Sequence, residues 1–269
     1  MTDILKKTLA PITDEAWNEI EVQAGRILKG NLSARALVDF SGPHGWKMAA
    51  VNLGTVHVGT REPVKGVTWG KRETQNLIEV RANFTLKQWD LDNVSRGAKN
   101  PDLAPMISTA RKAALFEETA LYLGFADGGI RGMTEASTHK PVPLATEANA
   151  FTGSVEQAIL ALQKSGIGGP YALVLGTAPY ALLKVGDPQS YPLRKQVESL
   201  ATGGVHWSPA LHGGVVLSRR GGDFEMTVGQ DMAVGYKSHD KESVELFFTE
   251  SFTFTVLEPA AVCELKVKG

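Results

Sequence analysis

Hydrophobic residues recur at helical spacing in two stretches of the chain, which predicts two amphipathic helices. The first helix is expected to begin after Thr13, whose hydroxyl suits an N-cap, and to end near Gly30. The second is expected from about Leu103 to Leu123, followed by glycines that suit a helix end. Because a helix of about 20 residues extends about 30 Å, the second helix can form the spine of a domain.

Two other stretches alternate between apolar and polar residues, which is the period of a half-buried strand. The first covers about 78–87. The second covers about 244–256 and is longer than most strands of globular proteins. Phe247 and Leu257 interrupt its polar face, so we expect part of that face to be covered. Cys263 follows in another strand-like alternation, where a packed thiol is expected.

The segment between the second helix and the long strand has the pattern of a compact α/β unit. Ser154-Val155-Glu156-Gln157 is a capping box that predicts the start of a helix. Tyr171–Leu175 is a continuous apolar run typical of a buried strand. Helical segments at 179–185 and 193–200, and a strand at 215–218, are expected to follow.

The segment from Ala49 to Gln75 is strand-like, punctuated by glycines and poor in large apolar residues. A two-stranded hairpin of this composition is rarely stable alone. We therefore expect it to rest on another surface, which could belong to another chain.

Composition and charge exclude several classes of protein. The 269 residues are 43% hydrophobic and 21% charged, which predicts a globular chain with one large domain or two interleaved ones. A net charge of −1 gives no field that would concentrate nucleic acid or an anionic membrane, so neither is an expected partner. The N-terminus lacks the apolar core of a signal peptide, and we expect a cytoplasmic location. One cysteine excludes an internal disulfide and a cysteine-based zinc site.

The sequence contains none of the motifs that would indicate catalysis. HExxH, GxSxG, GxGxxG after a strand and Walker A patterns are all absent. Glu117-Glu118 on the second helix has no accompanying Glu-x-x-His of a di-iron site, so a solvated helix face is expected there. The histidines show no pair at metal-ligand spacing and are expected on the surface or in loops; they are His44, His57, His139, His206, His212 and His239. We therefore predict no catalytic residue and no metal site.

Short motifs follow one another in a specific order and spacing along nearly the whole chain. They include Leu9-Ala10-Pro11-Ile12-Thr13, Gly42-Pro43-His44-Gly45-Trp46, Phe84-Thr85-Leu86, Arg220-Gly221-Gly222-Asp223-Phe224, Gly229-Gln230-Asp231 and Glu250-Ser251-Phe252-Thr253-Phe254. In these motifs and their order, the chain resembles the type 1 encapsulin shell proteins, once described as linocin-like bacteriocins. The resemblance implies the α+β, HK97-like fold of the major capsid proteins of tailed phages.

The resemblance also implies an organisation into domains. It assigns 1–48 to an N-terminal helix and the start of a peripheral domain, and 49–76 to an extended E-loop that reaches a neighbouring subunit. The spine helix falls in the peripheral domain at 77–131, the axial domain covers 132–220, and the long C-terminal strands return to the peripheral domain at 221–269.

A shell protein of this family is not an enzyme. The resemblance implies a cytoplasmic nanocompartment, closed by ~60 copies of one chain if the smallest icosahedral shell is built. Catalysis would reside in an enclosed cargo, either a dye-decolourising peroxidase or a ferritin-like iron oxidase, with a role in oxidative-stress defence or iron storage. The shell sequence does not distinguish these two cargoes.

Family members receive the cargo's C-terminal targeting peptide on the interior wall beside the N-terminal helix. The matching residues here are Arg35, Asp39, Asp231, Met232, Ala233 and Val234. Apolar contacts and an Arg/Asp pair would suit an extended peptide that orders on binding. The alternative is that Arg35 and Asp39, four positions apart, form only a local ion pair.

Two further features are implied by the resemblance. A loop that lines the fivefold pore is matched by small and polar residues, namely Gly186, Asp187, Pro188, Gln189, Ser190 and Tyr191; a plain surface loop would look the same. Trp89 matches a tryptophan that stacks on a flavin in some of these shells, whereas a buried tryptophan at a strand end is the alternative. No other cofactor is expected.

Two other functions remain open at this point. A phage or prophage major capsid protein would share the fold and the self-assembly, although the motif set argues against it. A protease or a secreted bacteriocin is disfavoured, because no Ser/His/Asp arrangement and no export signal can be recognised.

Overall fold

The computed structural model describes residues 4–145, 147–183 and 192–267, and within them the chain forms two five-stranded sheets, a separate hairpin and seven helices. The helices are α1 (Asp14–Asn31), α2 (Gln88–Ser95), α3 (Ala104–Tyr122), α4 (Met133–Ala136), α5 (Ala148–Lys164), α6 (Thr177–Leu182) and α7 (Leu193–Leu200). The strands are β1 (Asp39–Ser41), β2 (Ala50–Val58), β3 (Gly70–Asn76), β4 (Ile78–Lys87), β5 (Val142–Leu144), β6 (Tyr171–Leu175), β7 (Gly204–Trp207), β8 (Gly214–Ser218), β9 (Phe224–Val228), β10 (Ala233–His239), β11 (Ser243–Val256) and β12 (Val262–Val267).

The first sheet is built around β11, which pairs antiparallel with β4, β9 and β10. Strand β1 joins at one edge, parallel to β9. Side chains on both faces of β11 are buried from Val244 through Phe254, apart from Glu245. The long strand and the covering of its Phe247 face were both predicted from the sequence, and both are confirmed.

Helices α1 and α3 pack on this sheet around a hydrophobic cluster that includes Ile20, Met106 and Phe248. The Thr13 hydroxyl accepts a hydrogen bond from the Ala16 amide at 3.3 Å, so the predicted N-cap of α1 is confirmed. The spine helix also forms close to its predicted bounds, as Ala104–Tyr122. No helix in the described ranges has both the length and the apolar character that a membrane crossing requires.

The second sheet has the strand order β5-β12-β8-β6-β7 and is fully buried along β6 and β8. Its last strand corrects the predicted organisation. The 221–269 segment was expected to lie with the long strands, but β12 pairs with β8 and β5 and therefore belongs to this second sheet. The Cys263 thiol is buried in β12, as predicted, and burial raises its pKa to about 11.

Helix α5 begins earlier than the capping box predicts. It starts at Ala148, and Ser154 lies inside it, where its hydroxyl donates to the Ala150 carbonyl at 3.3 Å. The same hydroxyl accepts from the Ala145 amide at 3.1 Å. Ser154 thus ties the preceding loop to the second turn of the helix and does not cap its start.

The hairpin of β2 and β3 pairs only with itself among the described strands and exposes most of its residues. The register shifts between Asn52 and Val56, where Gly54 has a φ of 78°. Large apolar side chains remain exposed along the hairpin and its connecting loop; the exposed fractions are 51% for Val56, 71% for Val58, 64% for Val64, 54% for Val67 and 49% for Trp69. The hairpin was predicted from the sequence, and its apolar surface has no partner within the described residues.

Candidate functional site

A buried cluster of charged side chains lies where α3 meets the segment after α1. Arg35 donates two hydrogen bonds to Glu117, at 2.8 and 2.7 Å, and one to Asp231 at 2.7 Å. It also contacts Glu250 on β11. Burial opposes its charged form, but the bonds to Glu117 and the charges of Glu117 and Glu250 raise the pKa of Arg35 above its ordinary value.

Glu117 and Glu118 are both fully buried, so the predicted solvated helix face is wrong. Their helix is covered on most sides, and Arg35 supplies the charge that makes burial of Glu117 tolerable. Glu250 is also buried, and one of its carboxylate oxygens has no hydrogen-bond partner among the described residues. Burial and the charge of Glu117 raise the pKa of Glu250 well above its ordinary value.

Glu118 connects α3 to the segment after α1 and to the residue that follows β7. Its carboxylate accepts from the Ala34 amide at 2.8 Å and from the hydroxyls of Ser33 and Ser208 at 2.6 Å each. Burial raises the pKa of Glu118 to about 7, although these three bonds favour its charged form. No group of three His, Cys, Asp or Glu side chains in the described part of the chain could hold a metal ion.

Three of the predicted peptide-binding residues line a cavity between α1 and β10. Met232, Ala233 and Val234 form one wall. The facing wall comes from α1, and the cavity, of about 240 Å³, is lined there by Glu21, Ala24, Gly25 and Leu28. More than 200 residues separate Met232, Ala233 and Val234 from α1 in the sequence. Only the family resemblance indicated that they lie beside this helix.

A second cavity of about 410 Å³ continues along α1 and is lined by Ala10, Ile12 and Trp17. Lys7 and Glu21 line both cavities and form an ion pair with each other. The two cavities therefore make one interrupted groove along the helix. The N-terminal segment contributes to it because the Leu5 carbonyl accepts a hydrogen bond from the Tyr236 amide of β10 at 2.8 Å.

The other predicted peptide-binding residues lie outside these walls. Asp231 directly precedes Met232 and holds Arg35. Asp39 instead accepts from the Gly222 amide at 2.6 Å. The alternative of a local Arg35–Asp39 ion pair is wrong, since Arg35 is engaged by the three other carboxylates.

Trp89 lies on α2 and is 70% exposed, so the alternative of a buried strand-end tryptophan is wrong. The Arg96 guanidinium lies 5.3 Å from the centroid of its ring. An exposed indole beside a cation suits a flat aromatic ring that carries a phosphate. The predicted pore residues, Gly186 through Tyr191, lie outside the described residues.

The histidines form no cluster within the described ranges. His44, His57, His212 and His239 are exposed, and His139 and His206 are half-buried. His206 departs most from the predicted surface or loop position, because it lies in β7. Burial lowers its pKa, and its Nε2 atom has no hydrogen-bond partner among the described residues.

Comparison with known proteins places the chain in one family. The family Linocin_M18, described as encapsulating protein for peroxidase, matches residues 1–253. The type 1 encapsulin shell protein of Rhodospirillum rubrum is 42% identical over 272 residues, which cover 99% of this chain and 97% of that protein. The corresponding protein of Mycobacterium tuberculosis is 35% identical, with 93% and 94% covered.

Solved structures show the fold. A virus-like particle from Pyrococcus furiosus matches with a TM-score of 0.66 and 15% identity, over 93% of this chain and 98% of that one. A structure from Mycobacterium phage Bobi matches with a TM-score of 0.57 and 14% identity, over 89% of this chain and 91% of that one, and the capsid of Myoviridae Phage XM1 matches with a TM-score of 0.53 and 14% identity, over 89% and 92%. The predicted capsid-type α+β fold is confirmed by these matches. The curated shell proteins are similar to this chain over nearly its whole length. The sequence and structure matches together show that the chain belongs to the type 1 encapsulin shell proteins, which form capsid-like shells.

Proposed function

We propose that this chain closes an icosahedral shell of ~60 copies around a cargo protein, which it retains through the cargo's C-terminal targeting peptide. The compartment would be cytoplasmic. The description of the matching family as encapsulating protein for peroxidase favours a dye-decolourising peroxidase as cargo. A ferritin-like iron oxidase is the second candidate. The physiological role would accordingly be oxidative-stress defence or iron storage.

The exposed apolar surface of the β2–β3 hairpin is the observation that carries the assembly proposal. Val58 and Trp69 are 71% and 49% exposed, on an arm that pairs only with itself among the described strands. Exposed apolar surface of this kind is typical of protein–protein contact sites. A net charge of −1 also means that identical copies repel each other little on close approach.

Substitution of the hairpin tests assembly. Val58→Asp should leave a folded subunit, since the side chain at this position contacts solvent. It should prevent closure of the shell, because it would bury a charge at the contact between subunits. Val22→Asp, at a 39% exposed position of α1, is the matched control and should still assemble. Sedimentation velocity measures the outcome. Equal amounts of closed particles from both variants would contradict a role of the hairpin in assembly.

The groove between α1 and β10 supports the cargo proposal. Its walls combine Leu28, Val234 and Phe248 with the charged groups Lys7 and Glu21, which suits a short peptide with apolar side chains. Co-expression with each candidate cargo, with and without its C-terminal tail, tests the proposal. We expect tail-dependent co-purification of one cargo, and retention of the tailless form at the same level would contradict it.

We further propose that residues 186–191 line a pore at the fivefold vertex. Small polar residues there would admit ions and small molecules while excluding proteins. Replacing Gln189 with Glu in each copy would add a ring of negative charge. The uptake of small cations and anions into intact shells should then change in opposite directions, and identical uptake kinetics would count against the pore.

A flavin is the one cofactor we propose, held at Trp89. The exposed indole would stack on the flavin ring, and Arg96 would pair with its phosphate. The bound flavin would supply redox chemistry at the shell wall. Purified shells should show flavin absorbance that Trp89→Ala removes without loss of particles. Colourless wild-type shells would overturn this proposal.

A prophage capsid origin is the alternative we weighed, because a solved phage capsid shares the fold. Identity of 35–42% to curated encapsulin shell proteins favours the compartment. Genes for DNA packaging next to this gene would favour the capsid instead.

A further inference from the structure

A cavity of about 620 Å³ lies between the C-terminal end of α1 and β7, the edge strand of the second sheet. Residues between 29 and 36 form one wall, and residues of α6 and β7 form the other. The volume falls within the range of small-molecule sites. None of the residues proposed for the cargo peptide or the flavin lines this cavity.

Glu118 connects the two walls. Its carboxylate accepts a hydrogen bond from the hydroxyl of Ser33, which lines the cavity on the α1 side. It accepts another from the hydroxyl of Ser208, which directly follows β7. Both bonds are 2.6 Å long. Glu118 is fully buried, so water does not compete for these bonds.

Arg219 connects the same two walls a second time. Its guanidinium donates to the carbonyl of Ala36, on the α1 side, at 2.9 Å. It also donates to the carbonyl of Gly203, just before β7, at 2.8 Å. Both acceptors are backbone groups, so these bonds fix the main chain of each wall. A cavity held open in this way needs little rearrangement when a ligand enters, and such preorganisation favours binding.

The charges around the cavity favour an anion. Lys29, in the last turn of α1, lines it and makes no ion pair within the described residues. Arg219 bonds there only to carbonyl oxygens, so no carboxylate neutralises its charge. The imidazole of His206 is uncharged at neutral pH, because burial lowers its pKa. The described lining of the cavity includes no Asp or Glu side chain.

The cavity also offers an aromatic ring and apolar side chains. Trp207 lines it and donates its Nε1–H to the Thr177 hydroxyl at 3.1 Å. The indole is therefore held in one orientation, and its N–H requires no partner from a ligand. Leu32 and Val205 supply apolar surface from the two walls. The face of an indole is a surface on which another aromatic ring can stack.

We propose that this cavity binds a small aromatic carboxylate, whose ring stacks on Trp207 and whose carboxylate pairs with Lys29. The ring would displace water from Leu32 and Val205. One lysine in the lining suits a ligand with a single negative charge. Every lining residue belongs to one chain, so binding does not require that the shell closes and is independent of the proposed function.

Equilibrium dialysis of the purified full-length protein against naphthoate tests the proposal. Naphthamide has the same ring and nearly the same shape without the charge, and the fluorescence of the ring measures the bound amount of either compound. We expect one naphthoate per chain, bound about tenfold more tightly than naphthamide at low ionic strength, because a hydrogen bond to a charged group is stronger than one to a neutral group.

Two pairs of variants locate the bound compound. Lys29→Gln should remove the preference for naphthoate, whereas Lys164→Gln, in the last turn of α5, should keep it. Ala181→Phe puts a ring into the cavity from an exposed position of α6 and should abolish binding of both compounds. Ala178→Phe, exposed on the same helix but outside the lining, should bind normally. Melting temperatures show whether each variant folds.

Three results would overturn the proposal. The first is wild-type protein that binds no naphthoate at millimolar concentrations. The second is equal affinity of the wild type for naphthoate and naphthamide. The third is naphthoate binding that is the same in Lys29→Gln as in Lys164→Gln, because the compound would then lie elsewhere on the surface. The lysine pair decides the outcome by itself if Ala181→Phe does not fold.

Discussion

At the scale of single residues, the buried charges around Arg35 set the stability of the fold. Removing Arg35 leaves Glu117 and Glu250 without their cation in a water-excluded site. Breaking a buried pair in this way costs about 3–5 kcal/mol. Charge reversal at Arg35 would therefore destabilise the subunit, whatever its effect on cargo binding.

We predict that Arg35→Met lowers the free energy of unfolding by about 3–5 kcal/mol, measured by denaturant unfolding of the purified protein. Adding Glu117→Gln should restore part of this loss, because fewer unpaired charges then remain buried. Arg194→Met is the control, since Arg194 is exposed and pairs with Glu198 one turn away. A loss from Arg35→Met no greater than that from Arg194→Met would contradict the role of the cluster.

Glu118 should make stability depend on pH. Its pKa of about 7 in the folded chain lies above the ordinary 4.5. The folded state thus binds the proton more tightly, and the stabilisation is complete below about pH 4.5 and is lost as pH rises through about 7. We predict a loss of about 2–3 kcal/mol between about pH 5 and pH 8 from this group.

The comparison of wild type with Glu118→Gln measures that contribution, because glutamine does not titrate. The variant should lose less stability than wild type over the same pH range in thermal or denaturant unfolding. Parallel pH profiles of the two proteins would show that Glu118 does not titrate in this range.

Residue positions within the candidate site were only partly predictable from sequence. Met232, Ala233 and Val234 do line the cavity, as the resemblance suggested. Glu117 and Glu118 were expected in solvent. Their burial could not be predicted, because it depends on Arg35 and Ser208, which are far away in sequence.

At the scale of elements, β12 ties the C-terminus into the second sheet. It pairs with β8 and β5 and buries Val262, Cys263 and Leu265. The family match ends at residue 253, before this strand begins. The strand nevertheless completes a sheet whose β8 would otherwise have a free, apolar edge.

We predict that a chain truncated after Leu257 fails to give stable subunits, although it keeps the whole of the matched region. Each buried aliphatic side chain lost from β12 contributes about 1.5–3 kcal/mol. Soluble yield and melting temperature are the measurements, with removal of only the last two residues as control. Normal folding of the longer truncation would contradict a structural role for β12.

Periodicity predicted the long elements well because each has one dominant pattern. The bounds of α1, α3, β4 and β11 all lie within a few residues of those expected. Partners of the strands could not be predicted in this way. The alternation around Cys263 indicates a strand but carries no information that β8 is its neighbour. The capping box at Ser154 predicted the wrong start for α5, because a serine inside a helix can satisfy the same sequence pattern.

At the scale of the whole molecule, the single chain leaves two surfaces uncovered. Its hairpin extends away with exposed valines and Trp69, and its groove along α1 has room for a peptide. Both features fit the shell and cargo roles proposed above, and the family and the capsid-type fold are confirmed. Sequence periodicity alone reached only a mixed α+β protein, because a surface that binds other copies has no pattern of its own.

Electron microscopy with mass determination on protein expressed without cargo tests the central claim most directly. The account predicts hollow particles of uniform diameter and a mass of about 1.7 MDa, since ~60 copies of a 28.9 kDa chain close the smallest icosahedral shell. A monomer or a small oligomer in the same cargo-free sample would contradict it.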